Sequence, residues 1–361
     1  MEKLILVIMS VFFALGGLDY ILGNKFGLGE KFKEGIESIG ILVLSMTGIY
    51  AISPIIGKVL RDIFVPIGEK FGMDVSVFPS MFLAIDMGAL GISSEISSSE
   101  EMYIVSGVII ASTLGTTLSF SVPLALGLVK KESSSFLTKG VIYGIATMPI
   151  APLFAGIYLG VDLKSLVVNL IPLFILTGIL IIGILKYESI TQKVFSYFSK
   201  GILIISLIAL MLMGINSIIG VELIKGMIPI NDALSVAGKI GIFLAGAYPF
   251  LEVITRFFGK MFSGMSKLLG VNNDSVISIF AGMISNIIIF QNFEKLDDKG
   301  KIMCSAFSVS GAFVLGGQLG FVAAEVPDYI SVYIMSKLLA GVCAILMVLL
   351  MSSKKKAYSN L

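Results

Sequence analysis

The run Leu163-Lys-Ser-Leu-Val-Val-Asn-Leu-Ile-Pro-Leu-Phe-Ile-Leu-Thr-Gly-Ile-Leu-Ile-Ile-Gly-Ile-Leu185 carries a single charge, on Lys164. As a helix rising about 1.5 Å per residue it crosses the roughly 30 Å of a bilayer's hydrocarbon. Comparable apolar runs fall at roughly 4–22, 38–57, 102–129, 137–160, 201–220, 236–258, 302–325 and 329–352. The 361 residues are 56% hydrophobic and 14% charged, with a mean hydropathy of +1.00. Only 26 basic and 24 acidic side chains are present, far too few to cover a soluble globule of this size. A soluble enzyme is excluded. The expected fold is an all-α polytopic membrane protein. The N-terminus resembles a signal peptide but lacks an A-x-A-like site and carries Asp19 late in its apolar run, so a retained first span is expected.

Composition removes further chemistry. With no histidine, a His proton relay, a His-zinc site and a Ser-His-Asp triad are excluded. Cys304 and Cys343 lie far apart inside apolar segments and form no CxxC pair. No Walker-type GxxxxGK[ST] loop is present. No cofactor and no metal are expected. The net charge of +2 is spread over short loops, which gives no basis for nucleic-acid binding.

Two weaker segments, 75–96 and 273–293, are richer in polar residues. The first holds Pro79, Asp86, Gly88, Gly91 and Glu95; the second holds Gly282, Ser285, Asn286 and Asn292. An offset near 200 residues brings out internal repetition. Gly115-Thr-Thr-Leu-Ser-Phe120 lies over Gly316-Gly-Gln-Leu-Gly-Phe321, and Asp86 lies over Asn286. The expected organisation is a membrane repeat over 1–160, a linker span within 161–199, a second repeat over 200–352 and a cytoplasmic tail at 353–361.

Charge asymmetry orients this arrangement. If all eleven segments cross, the basic loops show no sidedness. If 75–96 and 273–293 instead dip in and return, most of the Lys and Arg fall on one face, as the positive-inside rule requires. That arrangement has about nine transmembrane helices and two re-entrant hairpins. Because one linker span joins the repeats, the second enters from the opposite side. Inverted repeats with irregular segments meeting near the midplane are a layout of secondary transporters. Backbone leaving the helix at membrane depth must be buried or line a wet cavity. Hairpin tips and the two Gly-x-x-Leu-x-Phe stretches, expected to be helix breaks, are therefore the places to hold a substrate.

An ionisable group inside the membrane costs about 2.5–3.5 kcal/mol on insertion scales and is a functional candidate by default. Asp86, central in Leu83-Ala-Ile-Asp-Met-Gly88, is the foremost, able to attract a small ammonium, Na⁺ or H⁺ or else to cap the hairpin tip. Thr116, Thr117 and Ser119 follow Gly115, and Asn286 and Gln318 offer similar groups in the second repeat. Such side chains bind hydroxyl-bearing solutes or glue helices together. Glu252 is expected to pair with Arg256 at i,i+4, and Asp19 to reach the interface. Pro54 and Pro249 are expected at kinks.

Gly23-Asn-Lys-Phe-Gly-Leu-Gly-Glu-Lys-Phe-Lys-Glu-Gly35 resembles the first-loop signature of the ethanolamine permeases. Asp86-Met-Gly88, Phe120-Ser-Val-Pro-Leu-Ala-Leu-Gly127, Ala247-Tyr-Pro249, Lys267-Leu-Leu-Gly-Val-Asn-Asn273 and Leu319-Gly-Phe321 follow in the family's order. The resemblance spans about 1–350. It implies a multi-pass carrier of the inner (cytoplasmic) membrane that imports ethanolamine, with ethanolamine-utilisation enzymes acting downstream. The implied partners are a small-molecule amine and the lipid bilayer; a homodimer stays open. The hairpin tips and matched stretches give Asp86, Met87, Gly88, Gly115, Thr116, Thr117, Asn286, Gly317 and Gln318 as the expected substrate-binding residues. Where the family pattern has Asp-His at the second break, this chain has Gly317-Gln318, and where it has Asn-Asn-Ile-Pro this chain has Ser285-Asn-Ile-Ile288. A diverged ion-coupled carrier of another small solute, or a non-transporting membrane scaffold or sensor, are the alternatives. An intramembrane enzyme has no nucleophile–base pair to name.

Overall fold

The computed structural model describes residues 2–221 and 223–358, and every regular element among them is helical. Among the described residues, eight helices are long and apolar enough to cross a bilayer: Glu2–Ile21, Leu28–Pro66, Glu100–Leu128, Lys131–Tyr158, Leu163–Lys186, Glu188–Ile219, Ile230–Phe257 and Pro327–Ser352. The chain is an all-α polytopic membrane protein. Outer helices expose apolar faces, as at Ile175, Ile179, Leu203 and Ile208. In water such faces would drive association; against lipid they are at home. The helix Glu100–Leu128 is instead the hub, with 83% of its membrane-length window buried.

Several spans run longer than hydropathy indicated. The 38–57 run is the middle of a helix continuing from Leu28 to Phe71 through a widened turn at Val43–Thr47. The 236–258 run is part of Ile230–Leu269. Pro54 and Pro249 both sit in helix interiors.

The two Gly-x-x-Leu-x-Phe stretches differ from the expected pair of breaks. The first stays helical, but with wide i→i+5 turns at Val105–Gly115 and Thr117–Ser121. Hydroxyls bond back to carbonyls along it: Thr116 Oγ1 to Ala111 O (2.9 Å), Thr117 Oγ1 to Thr113 O (2.8 Å) and Ser119 Oγ to Gly115 O (2.7 Å). These bonds satisfy backbone that a wide turn leaves short of partners. The second stretch is broken, but at 311–316, just before it. Helices Asp298–Ser310 and Gly317–Glu325 flank the gap, where Phe313 adopts a left-handed φ of 61°.

The polar segments 75–96 and 273–293 are each two short helices. Val77–Phe82 and Ala89–Ile96 are separated by extended Leu83 and a tight turn at Ile85–Met87. Gly88 closes that turn with φ 91°, where a side chain would be strained. Asn273–Gly282 and Asn286–Gln291 are separated at 283–285. Each segment returns to where it began. Asp74 accepts hydrogen bonds from Ser76 N (2.9 Å) and from Ser98 N (2.7 Å) and Oγ (2.6 Å), tying both ends of the first. Asp297 accepts from Asn272 N (3.0 Å) and Ser275 Oγ (2.9 Å), tying the second.

The two tied ends lie at opposite ends of the linker helix Leu163–Lys186. Asp74 N donates to Asn169 Oδ1 (2.8 Å), near the helix start. At the other end, Thr138 Oγ1 reaches Glu188 Oε1 (2.5 Å). Five residues before Thr138, Ser133 Oγ donates to Glu294 (2.9 Å) beside the second segment.

Glu252 pairs with Arg256 at 2.8 Å, as expected. Asp19 lies near the end of the first span, Glu2–Ile21. It is buried and accepts from Phe26 N (2.9 Å), Leu28 N (2.7 Å) and Gly29 N (2.9 Å), so its carboxylate shapes the first loop. Three backbone donors satisfy the charge that burial would otherwise penalise.

Candidate functional site

The turn Ile85–Met87 packs against Val43–Thr47, the helix Gly48–Phe71, the hub helix and the helix Gly317–Glu325. Unwinding between two short helices brings Asp86 to this crossing. Ile85 and Gly88 are buried, while Asp86 and Met87 stay half-buried. Among the described residues no side chain donates a hydrogen bond to the Asp86 carboxylate. That is unusual for a charge at this depth, because buried charges are normally paired.

Beside the turn lies a buried polar cluster. Gln318 Nε2 donates to Thr116 Oγ1 (2.6 Å), joining the two stretches matched at an offset near 200. Gln318 Oε1 accepts from Lys337 Nζ (2.9 Å) and, at 3.4 Å, from Tyr333 OH. Lys337 Nζ also donates to Ser112 O (2.5 Å) and lies 5.6 Å from the Tyr333 ring centroid. Lys337 is only 1% exposed. The Asp86 turn packs on the same two helices whose Ser112 and Gln318 hold Lys337, without a direct ion pair between the two charges among the described residues. Lys337 escaped the sequence reading, although it is the only charged residue in the run 329–352 and membrane cost alone flags it. Thr47, in the segment against the turn, is buried with no hydrogen-bond partner for its hydroxyl among the described residues. Nothing in the sequence marked it.

Gly115 and Gly316 have one job at matched places. Gly115 packs on the backbone carbonyls of Ser80 and Leu83 at the first segment's gap, and Gly316 packs on the backbone of Ile284 at the second's. Phe313 N to Gly282 O (3.0 Å) and Leu315 N to Met283 O (2.8 Å) complete the second junction.

Other expected residues lie further off. Thr117 Oγ1 is taken up by Thr113 O and Val309 O (3.1 Å), so its hydroxyl serves the helix junction. Asn286 Nδ2 donates to Ser121 Oγ (2.7 Å) and Ser308 O (3.1 Å), on the far side of the hub's second wide turn from Thr116. Its Oδ1 is buried and without a partner among the described residues. Gly317 starts its helix beside open space. Glu325 accepts from Tyr50 OH (2.8 Å), and Glu95 lines a separate crevice of about 370 Å³ with Arg61, Asp74 and Ser98.

Interrupted helices around a buried charge are a layout shared by membrane transport proteins, a class in which irregular backbone lines the solute's path. Within that class the chain belongs to one family. The model described as "Ethanolamine utilisation protein, EutH" matches residues 1–351. The chain is 36% identical, over 98% of its length and 95% of the relative's, to "Probable ethanolamine permease EutH" of Listeria monocytogenes. It is 32% identical to the protein of the same name in Salmonella typhimurium, over 99% of this chain and 97% of that one. It is also 32% identical to "Uncharacterized protein YxeR" of Bacillus subtilis, over 94% and 92%. No solved structure gives a significant match. The family is one of permeases, not enzymes.

Proposed function

We propose that this protein carries ethanolamine, or a similar small cationic amine, across the cytoplasmic membrane by alternating access. The observation that carries the reading is Asp86: a half-buried carboxylate on an unwound turn, without a side-chain hydrogen bond, beside the Thr116–Gln318 cluster. A primary ammonium offers such a carboxylate a direct charge partner and three hydrogen-bond donors. The substrate's hydroxyl is matched by Thr116, Gln318 and the free Thr47 hydroxyl, with the free Asn286 Oδ1 a second stop along the hub helix. Met87, Gly88, Gly115 and Gly317 shape the walls, and Thr117 holds the hub helix in place. The names of the Listeria and Salmonella relatives point to the same solute.

The repeats are read as inverted, and segments 75–96 and 273–293 as re-entrant hairpins. The support is the tying of each hairpin's ends by Asp74 and Asp297, at opposite ends of the linker helix. The element order also recurs: a span, a long Pro-bearing helix, a split segment, a hub or broken helix, and a span. One hairpin-bearing bundle moving against the remaining helices would then expose Asp86 to each side in turn.

Uptake of labelled ethanolamine into proteoliposomes, with and without Na⁺ and pH gradients, tests the function. Saturable uptake is expected, competed by small amino-alcohols and not by ethylene glycol, which lacks the charge. Folded protein that takes up no ethanolamine, or is competed equally by ethylene glycol, rules the reading out.

A further inference from the structure

Lys337 is the one group of the cluster that a binding site for a cation does not call for. A permanent ammonium next to the carboxylate that receives a substrate ammonium works against binding by like-charge repulsion. Its surroundings are nonetheless built for it. Ser112 O and Gln318 Oε1 accept from Nζ at 2.5 and 2.9 Å, and the Tyr333 ring lies 5.6 Å away. Tyr333 is itself fully buried and fixed by its hydroxyl's bond to Phe313 O at 2.9 Å, in the gap of the broken helix. All these partners are neutral. The nearby opposite charge is Asp86, whose turn packs on the hub helix and on helix Gly317–Glu325, the two helices that supply Ser112 O and Gln318 to Lys337.

We propose that Lys337 is the tethered counter-cation of Asp86 in the empty carrier, and that the substrate's ammonium takes over this role when it binds. The substrate class rests on the amine-carrier reading above. A carrier that accumulates solute must return empty, and a lone carboxylate crossing the low-dielectric interior is strongly disfavoured. With Lys337 at hand the empty site is neutral overall and can reorient. When an ammonium engages Asp86, Lys337 stays held by Ser112 O, Gln318 and the Tyr333 ring. Gln318 also holds Thr116, so occupancy at the first hairpin is felt at the junction between the broken helix and the hub helix. The arrangement makes net transport depend on Lys337 more than exchange does, because exchange never passes through the empty state.

The test compares uptake of labelled ethanolamine into empty proteoliposomes with uptake into vesicles preloaded with unlabelled ethanolamine. For Lys337→Met, net uptake is expected to fall at least about tenfold while exchange stays within about threefold of wild type, with a lower KM for exchange. Lys337→Arg is expected to keep net uptake. Equal loss of both modes in Lys337→Met, no loss in either, or an arginine variant as poor as the methionine one overturns the proposal. A second arm needs no substrate. Asp86→Asn and Lys337→Met are each expected to lower the thermal midpoint, and the double variant to recover most of the loss, because two neutral groups replace two charges. A double variant as unstable as the sum of the singles overturns the pairing. If wild type neither takes up nor exchanges ethanolamine, the amine reading fails, and the stability cycle still decides whether Lys337 and Asp86 are partners.

Discussion

Asp86→Asn is expected to cut kcat/KM for ethanolamine uptake at least about 30-fold while the protein still purifies folded. The substitution keeps the size of the side chain on the Ile85–Met87 turn and removes only its charge. Losing one partner of a buried, hydrogen-bonded charge pair costs about 2–5 kcal/mol. At about 1.36 kcal/mol per decade, the lower bound is already some 30-fold. Glycol-type neutral solutes, which never engage the carboxylate, gain nothing from the wild-type residue. Initial rates in proteoliposomes matched for protein content decide the matter. Uptake by Asp86→Asn within threefold of wild type removes Asp86 from the site.

Gly316→Ala and Gly115→Ala are expected to be strongly damaging single methyl additions. A Cβ at 316 would come within 2.8 Å of the Ile284 carbonyl carbon and closer still to its oxygen. One at 115 would lie 2.6 Å from Ser80 O and closer still to Leu83 O. Backbone cannot move aside as a flexible side chain can, and overpacking of this kind costs about 1–3 kcal/mol or more. Both glycines pack on the gap of a split segment, so folded yield and thermal midpoint should fall together. Gly127→Ala meets nothing within 4 Å and should behave as wild type. A Gly316→Ala protein as stable as Gly127→Ala contradicts the close seating of the broken helix on the second hairpin.

Much of this architecture was legible in the sequence because lipid makes simple demands. Runs such as 163–185 must be helices, and polar segments such as 75–96 cannot be lipid-facing ones. The match of Gly115 to Gly316 picked out two glycines that each seat on the gap of a split segment, while the contact of Thr116 with Gln318 was not foreseen. What escaped was set by local hydrogen bonding and tertiary contact. Whether Gly115-Thr-Thr breaks a helix or widens it depends on hydroxyls finding carbonyls four and five residues back, which residue type alone does not determine. The partners of Asp19 were not legible because its three backbone donors come from the first loop and the start of the next helix, whose path no periodicity describes. Lys337 was overlooked inside a strongly apolar run, where one charge barely lowers the average yet sets the electrostatics of the site.

The pocket exists only if each hairpin enters and leaves the membrane on one face, the two hairpins from opposite faces. In a background with Cys304 and Cys343 replaced by serine, single cysteines at Lys70, Glu101, Lys267 and Asp298 can be probed with a membrane-impermeant thiol reagent. Positions 70 and 101, flanking the first hairpin, should label from the outside; positions 267 and 298, flanking the second, should label only from the inside. Labelling of 70 and 101 from opposite sides of the membrane would contradict the account, because the first hairpin would then be a crossing helix and Asp86 could not sit on a returning turn.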